Sequence, residues 1–171
     1  DVRAIPKEER MDTISFVFQN SRLLKGSILD NVRLGRPQAT EAEVLAALKA
    51  AQCMDIVEKF PAGIHTVIGT KGVYLSGGEQ QRIAIARAFA RGTEVMLVDE
   101  ATASLDPQTA SQINQVLLEK EGLTLIAITH RTNQELLEAY DEVLVLEQGE
   151  LLEHGSYGSL SPQRKQLLAL H

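Results

Sequence analysis

Apolar residues in the second half of the chain occur in short runs separated by segments with helical periodicity. The run at 94–98 is typical of a strand buried on both faces, the run at 123–128 predicts another buried strand, and 142–147 predicts a further strand. Helical patterns at 107–120 and 132–139 lie between these runs. The alternation of strands and helices predicts an α/β fold for this part of the chain.

Near the start of the chain, residues 14–18 predict one more strand, and the residues before it are expected to form a loop. Residues 20–92 instead carry several helical patterns and no convincing long strand. The sequence therefore predicts an α/β core built from residues 1–19 and 93–171. A helical subdomain at 20–92 is expected to interrupt this core.

Polar residues mark several predicted helix starts. Ser27 can cap a short helix, and Thr40 with Glu43 forms a capping box in front of an apolar stripe. Another capping box is formed by Thr132 with Glu135. These residues predict helices that begin directly after them.

The remaining segments are assigned from length and turn residues. Cys53–Phe60 is expected to be helical and to end at Pro61, whereas Val67-Ile68 and Val73-Tyr74 are short and are assigned to loops. Gln148-Gly149 separates two apolar runs and predicts a hairpin. A final helix is expected at Tyr157–Leu170.

Composition narrows the class of protein. The chain has 171 residues, which suits one domain, and 44% of them are apolar, which is enough for a core. No stretch is long or apolar enough to span a bilayer, and the start shows no signal-peptide pattern. A net charge of −6 without a basic cluster argues against a nucleic-acid-binding surface. Cys53 is the single cysteine, so no internal disulfide can form, and we expect it to be a small buried residue.

Residues 75–88 form the most informative segment, Leu-Ser-Gly-Gly-Glu-Gln-Gln-Arg-Ile-Ala-Ile-Ala-Arg-Ala. Ser76 and Glu79 make a capping box at the start of an amphipathic helix. Gly77 and Gly78 lack side chains that would shield the backbone N–H groups at this helix start. Unpaired N–H donors and the helix dipole both favour an anion there. The alternative is an ordinary capped helix without a ligand, which a capping box alone would favour.

Two carboxylates, Asp99 and Glu100, follow the apolar run at 94–98. Open α/β sheets place their chemistry at the ends of strands, so these carboxylates are candidate site residues. A solvated acidic turn after a strand is the alternative interpretation of the pair.

Together these segments carry a family resemblance. The string Leu-Ser-Gly-Gly-Glu-Gln-Gln-Arg closely resembles the signature of ATP-binding cassette (ABC) proteins, and Glu94–Glu100 resembles the Walker B motif of the same family. The resemblance implies a partial RecA-like P-loop NTPase core with an inserted α-helical subdomain, and ATP as the ligand. It also implies that Asp99 helps to hold Mg²⁺ through water and that Glu100 polarises the attacking water as a general base.

Three further segments resemble family motifs in the family's order. Ala103-Ser104-Leu105-Asp106 is similar to the D-loop, which crosses the dimer interface, and Asp106 followed by Pro107 is also a good helix start. His130, after the run at 123–128, resembles the switch histidine that contacts the γ-phosphate. Gln19, after the strand at 14–18, resembles the Q-loop glutamine, which senses Mg²⁺ and couples the ATP site to the membrane domain.

In this family, ATP lies between the P-loop of one subunit and the signature of the other. The resemblance therefore implies two groups of site residues. The first group serves a nucleotide held by the partner subunit: Ser76, Gly77, Gly78 and Glu79. The second group serves the nucleotide of the chain itself: Gln19, Asp99, Glu100 and His130.

The P-loop that would complete such a site is missing from the sequence. It requires Gly-x-x-x-x-Gly-Lys-Ser/Thr, and no glycine of this chain is followed by lysine. Because that motif precedes the Q-loop in the family, and because the chain begins at Asp1, we expect a C-terminal fragment without the N-terminal P-loop part. We expect this fragment neither to bind nor to hydrolyse ATP measurably. The resemblance also implies that the missing strand belongs to the central sheet. Its loss should expose strand edges, so self-association or a rearranged sheet is expected.

Two other stretches point to one branch of the family. Residues 22–32 resemble the segment that follows the Q-loop in exporters, and residues 66–72 resemble the exporter X-loop, although Thr70 stands where the family has an acidic residue. An exporter implies two partners: a second nucleotide-binding domain, and the transmembrane domains of the same transporter. It places the chain at the cytoplasmic face of the cell membrane, without nucleic acid.

Two other functions stay open on the sequence. A non-transport ABC ATPase, acting in DNA repair or on ribosomes, would share the signature and the Walker B motif, and a pure interaction module would have no ATP chemistry. The exporter-like stretches and the acidic balance argue against the first, and Glu100 with His130 argues against the second.

Overall fold

The computed structural model describes residues 2–69, 72–130 and 133–168. Thr70 and Lys71 of the X-loop resemblance, Arg131 after the switch histidine, and Thr132 of the expected capping box lie outside the described residues. The chain divides into two compact units, Asp1–Ile128 and Thr129–His171.

In the first unit, the strands are β1 Ile14–Val17, β2 Gly26–Ser27, β3 Val67–Ile68, β4 Val95–Asp99 and β5 Thr124–Ile128. The helices of this unit are α1 Lys7–Thr13, α2 Ile28–Arg33, α3 Glu41–Ala50, α4 Met54–Glu58, α5 Gly77–Arg91 and α6 Pro107–Leu118, with short 3₁₀ turns at Val2–Ala4 and Gly63–His65.

A parallel sheet with the strand order β1-β4-β5 forms the α/β part of this unit. The register places Val17 beside Val98 and Val98 beside Ala127. Parallel neighbours require a crossover connection, and α6 supplies it between β4 and β5. The parallel arrangement brings the carboxyl ends of all three strands to one edge. The predicted α/β fold is confirmed.

Helix α5 lies at the centre of the first unit, in contact with α2, α3 and β1. Its apolar face is fully buried at Ile83, Ile85 and Ala86, which belong to the same core as Met96 of β4. Burying side chains of this size stabilises the fold by about 1.5–3 kcal/mol each. The start of α5 therefore belongs to a helix that is firmly packed in the core.

A buried polar network also fastens α2 to α5. Asn31 is 1% exposed, and its side chain accepts a hydrogen bond from the Leu24 N–H at 2.8 Å and donates to the Leu24 and Ser27 carbonyl oxygens at 2.9 and 3.0 Å. Arg87 of α5 donates to the Asn31 carbonyl oxygen at 2.9 Å and to its side-chain oxygen at 3.3 Å. The segment after Gln19 is thus bonded to α5.

The assignment of residues before 14 to a loop is wrong, because α1 occupies Lys7–Thr13. Glu8 and Glu9 lie in its first turn, where carboxylates interact favourably with the helix dipole. Arg91 of α5 also donates a hydrogen bond to the Met11 carbonyl oxygen. This tertiary contact, which no local pattern reveals, holds a short helix that is marginal by itself.

The assignment of Val67-Ile68 to a loop is also wrong. These residues form β3, which pairs with β2 in antiparallel register, Ser27 opposite Val67. Val73 adds an isolated bridge to Ile68. Such short strands exist because a distant segment satisfies their backbone groups, and periodicity over two residues cannot predict that.

The expectation that β5 is a buried strand is wrong, and on β4 only one face is fully buried, since Val95 and Leu97 are half-buried. Met96 and Val98 are buried, but Ile126 and Ile128 on β5 are 52% and 58% exposed. Phe16 of β1 lies on the same face as Ile126, since both share a register with Leu97. One face of the sheet therefore carries exposed apolar side chains.

In the second unit, α7 spans Gln134–Glu138, a hairpin pairs β6 Val143–Glu147 with β7 Glu150–Gly155, and α8 spans Pro162–Leu168. The predicted hairpin turn is confirmed, with Gln148 and Gly149 at φ values of 52° and 85°. These angles suit a turn whose twist matches that of the strands. Leu137, Tyr157 and Leu160 form the core of this unit.

Two helix limits in the second unit differ from the predictions. The cap of α7 is Asn133. The single helix expected at 157–170 is a 3₁₀ turn at Tyr157–Ser159 followed by α8. Pro162 explains the break, because a proline disfavours helical geometry in the residue before it and is well placed at the first position of a helix. Nowhere in the described part of the chain does a helix reach the length and apolar character needed to cross a bilayer.

Candidate functional site

The start of α5 has the predicted capping box. The Glu79 N–H donates to Ser76 Oγ at 3.2 Å, and the Ser76 N–H donates to Glu79 Oε2 at 2.7 Å. The amides of Gly77 and Gly78 occupy the first two helix positions, where an N–H has no acceptor within the helix. Together with the helix dipole, these amides form a surface that attracts an anion.

Glu79 brings a negative charge to this helix start. Its Oε1 atom lies 3.0 Å from Nζ of Lys59, which follows α4. Partial burial is the largest single influence and pushes the pKa of Glu79 upward, but hydrogen bonds from the Ser76 backbone and from Lys59 together outweigh it. The pKa of Glu79 is therefore lower than usual, and its side chain is a carboxylate at neutral pH.

The two glycines differ in their surroundings. A Cβ atom on Gly77 would meet nothing within 4 Å, whereas one on Gly78 would lie 3.5 Å from Leu105 Cδ2 and 3.6 Å from the Ser104 carbonyl oxygen. The structure thus brings the start of α5 next to the segment that resembles the D-loop. Gly77 is open to a molecule approaching from outside.

The segment between β4 and α6 is a compact turn. The Ala103 N–H donates to the Glu100 carbonyl oxygen at 3.0 Å, and Leu105 is buried. Asp106 caps α6 by accepting a hydrogen bond from the Thr109 N–H at 2.9 Å, as the sequence predicts. This backbone hydrogen bond lowers the pKa of Asp106. Ser104, Leu105 and Asp106 are therefore held in a fixed loop beside Gly78.

Glu100 stands directly after β4 and contacts the loop after β1. Gln19 Nε2 donates to Glu100 Oε2 at 2.8 Å, across 81 residues of sequence. The Glu100 N–H donates to the Ile128 carbonyl oxygen at 3.0 Å, and its φ of 47° lies in the left-handed region. A non-glycine residue in that region is strained, and such strain is concentrated at functional sites.

Gln81 of α5 holds the Gln19 loop, and the sequence analysis missed this role. Its side chain is buried; Nε2 donates to the Phe18 carbonyl oxygen at 2.9 Å, and Oε1 accepts from the Ser21 N–H at 3.4 Å. The signal that could have found it is a polar residue on the apolar side of α5, since a buried amide requires partners.

Asp99 is exposed at the carboxyl end of β4, one residue before Glu100. No group of three or more His, Cys, Asp and Glu side chains suited to a metal ion is found among residues 2–69, 72–130 and 133–168. Mg²⁺ retains several waters and binds through one or two carboxylates plus the phosphates of a nucleotide. A single exposed carboxylate at this edge fits that mode of binding.

His130 belongs to the second unit, where it is exposed and follows β5 by two residues. Within the first unit, the structure brings Gln19 to Glu100 and Gly78 to Ser104 and Leu105. These contacts join residues that the sequence places in four separate segments.

A parallel sheet with Asp99 and Glu100 at its carboxyl edge, joined to a glycine-rich capped helix, defines the class: a partial RecA-like core of the P-loop NTPase type, with an inserted helical segment. The family model described as ABC transporter matches residues 1–103. That match covers more than half of the chain, so the chain belongs to the ABC transporter family.

The relatives agree with this assignment. The chain is 36% identical to the β-(1→2)glucan export ATP-binding/permease protein NdvA of Agrobacterium vitis, over 99% of the chain and 29% of that protein. It is 39% identical to the heterocyst differentiation ATP-binding protein HepA of Nostoc sp., over 92% of the chain and 26% of that protein.

A solved structure of a bacterial Atm1-family ABC exporter with ATP bound superimposes with a TM-score of 0.85 at 36% identity, over 97% of the chain and 29% of the exporter chain. The chain thus spans less than a third of the length of each of these three proteins.

Proposed function

We propose that the chain is part of the ATP-hydrolysing nucleotide-binding domain of an ABC exporter, and that it couples ATP binding and hydrolysis at a dimer interface to transport across a membrane. The hydrogen bond from Gln19 to Glu100 carries this proposal, because it orients a strained carboxylate at the sheet edge where such domains hydrolyse ATP. The similarity to two proteins named as exporters supports the transport role.

In this proposal, Glu100 is the general base that polarises the attacking water. A base must be held within hydrogen-bond reach of the water, and the Gln19 contact together with the bonded backbone of Glu100 restricts its carboxylate. Asp99 and Gln19 would hold Mg²⁺, and the bound ion would neutralise charge on the phosphates. His130 contacts the γ-phosphate.

The start of α5 serves the nucleotide of a second nucleotide-binding domain. Ser76 and Glu79 fix the capping box, so that the amides of Gly77 and Gly78 face a triphosphate bound to the partner. Of the D-loop residues Ser104, Leu105 and Asp106, the first two lie beside Gly78, and in the dimer all three face the same partner.

In this proposal, the ATPase core and the signature lie in the two domains expected from the sequence. Residues 1–19 and 93–171 form the ATPase core, and residues 20–92 form the helical subdomain that carries the signature. The other partners are the transmembrane domains of the same transporter, which place the chain at the cytoplasmic face of the membrane.

The first experiment replaces Glu100→Gln in the full-length transporter. Loss of a general base lowers the rate of hydrolysis by about 10²–10⁴-fold, whereas ATP binding should remain, because the amide keeps the shape of the carboxylate. Glu94→Gln is the matched control, since Glu94 is exposed at the other end of β4. Unchanged hydrolysis in Glu100→Gln would disprove the role of Glu100.

The second experiment addresses the signature with Gly77→Asp. A side chain at Gly77 meets no neighbouring atom, so the variant should fold, but its carboxylate would repel the partner's phosphates. ATP turnover should be lost, while Gly158→Asp, at a similarly open position, should retain it. Normal turnover in Gly77→Asp would refute the proposed signature.

We also infer that the 171-residue chain alone is inactive. A charge-assisted hydrogen bond contributes about 1.5–3 kcal/mol, so the absence of three P-loop donors costs about 5–9 kcal/mol. An entire micromolar interaction amounts to about 8 kcal/mol. Calorimetry should detect no binding of Mg-ATP, and a micromolar dissociation constant would contradict this inference.

A further inference from the structure

Two ion pairs join the short helix α4 to the start of α5. Arg82 donates to both carboxylate oxygens of Asp55, at 2.8 and 2.9 Å, and Lys59 Nζ lies 3.0 Å from Glu79 Oε1. Arg82 also donates to the Gln52 carbonyl oxygen, just before α4. The residues within each helix lie one turn apart, so both pairs belong to the facing sides of the two helices.

The two ion pairs differ in how much they stabilise the contact between α4 and α5. The Asp55–Arg82 pair is bidentate, and the Arg82 side chain is only 14% exposed, so this pair provides the firm attachment of α4 to α5. Lys59, in contrast, is 53% exposed, and an exposed pair of this kind adds little to stability. Lys59 is therefore expected to act through its charge on the neighbouring Glu79, with little effect on the stability of the fold.

The charge of Glu79 is the reason that Lys59 matters. The Glu79 carboxylate accepts the Ser76 N–H, and it therefore lies at the same helix start as the amides of Gly77 and Gly78. A negative charge at this point opposes the approach of a phosphate. Lys59, in contact with the other carboxylate oxygen, offsets this charge and holds Glu79 in the capping box.

We propose that Lys59 is a positioning and charge-compensating residue of the signature: it neutralises Glu79, so that the amides of Gly77 and Gly78 can accept the partner's triphosphate. This inference rests on the proposed function of the signature. It assigns to Lys59 an effect on nucleotide affinity that depends on the charge of residue 79.

The test is a cycle of Lys59→Met, Glu79→Gln and the double variant in the full-length transporter, with Lys49→Met as the control on the exposed end of α3. Lys59→Met should raise the KM for ATP about 3- to 10-fold at low salt and leave kcat within about twofold, because an uncompensated charge near a partly exposed site is worth this much. The increase should shrink at about 1 M salt, where screening is strong.

The double variant distinguishes charge from packing. When Glu79→Gln removes the negative charge, Lys59→Met should have no further effect, and the double variant should match Glu79→Gln. Equal impairment by Lys59→Met in both backgrounds, or a KM unchanged by Lys59→Met, would overturn the inference. If Gly77→Asp abolishes turnover while Lys59→Met is silent, only the role of Lys59 fails; if Gly77→Asp is also active, the proposed signature itself fails.

Discussion

Replacing Asn31 by alanine tests how the segment after Gln19 is held against α5. Asn31 is 1% exposed and bonds to the backbone of Leu24 at both its N–H and its carbonyl oxygen. Its side chain also bonds to the Ser27 carbonyl oxygen and to Arg87. Alanine removes all these bonds and leaves a cavity of a few atoms.

The expected loss of stability follows from these contacts. Each hydrogen bond contributes about 0.5–1.5 kcal/mol net, and a buried group left without a partner costs about 1–3 kcal/mol. Arg87 keeps its bond to the Asn31 carbonyl oxygen, so the Asn31→Ala variant retains part of the network. We expect the free energy of unfolding to fall by about 3 kcal/mol, a large share of the roughly 5–15 kcal/mol of a typical domain.

Urea unfolding followed by circular dichroism measures this loss. With a slope of about 1–3 kcal/mol per molar urea, the midpoint should fall by about 1–3 M. Hydrogen exchange of the Leu24 amide should also accelerate, because its acceptor is Asn31 Oδ1. The exposed Asn20 gives the control variant Asn20→Ala, and equal midpoints for the two variants would refute the reasoning.

Four further outcomes are expected of the chain itself. Gly35→Ala would press a Cβ against a backbone oxygen of α5 and should lower the melting temperature by an amount equivalent to about 1–3 kcal/mol, whereas Gly158→Ala, which meets no neighbouring atom, should not. Burial raises the pKa of Cys53 to about 12, so iodoacetamide should label it slowly at pH 8 and quickly in urea; equal rates would contradict this. Hydrogen bonds from Ser27, the N-cap of α2, lower the pKa of Asp30. The stabilisation by this carboxylate is therefore present above its unfolded pKa of about 4 and is lost as the pH falls through its folded pKa. Asp30→Asn should flatten that part of a pH–stability profile. Light scattering should show self-association that Ile126→Lys reduces, since Ile126 is exposed on the open face of the sheet; a monomer at high concentration would disprove it.

The sequence predicted the helix starts well, because capping is local. The capping boxes of α2, α3 and α5 begin at Ser27, Thr40 and Ser76, and each joins residues three positions apart. The hairpin at Gln148-Gly149 is equally local, since glycine adopts a positive φ without steric cost. Such features depend on a few neighbouring residues and on no tertiary contact.

Features that depend on distant contacts could not be predicted. Helix α1 is held by Arg91 through the Met11 carbonyl oxygen, 80 residues away in sequence, and β3 exists only because β2 pairs with it. The exposure of Ile126 could not be predicted from the sequence either. An apolar run shows that burial would be favourable, but it does not show whether other residues pack against it.

For the candidate site, the sequence supplied the residues and the structure supplied the contacts. Motif order led to Gln19 and Glu100, but only the fold shows that they share a hydrogen bond. Gln81 and Lys59 were missed for the same reason: each bonds to a partner that is far away in sequence, at Phe18 and Glu79. The proposed boundaries of the helical subdomain at 20–92 stay a prediction.

Helix α5 connects the two halves of the proposed mechanism. In that proposal its first residues face the partner's nucleotide, and Gln81, one turn further along, bonds to the loop that carries Gln19. Because Gln19 in turn bonds to Glu100, a displacement of α5 reaches the carboxylate of the chain's own site through two hydrogen bonds. The apolar face of α5 is buried in the core, and close-packed interiors transmit strain between neighbouring elements. In the proposed mechanism, binding of the partner's nucleotide would influence hydrolysis at the chain's own site along this path of hydrogen bonds.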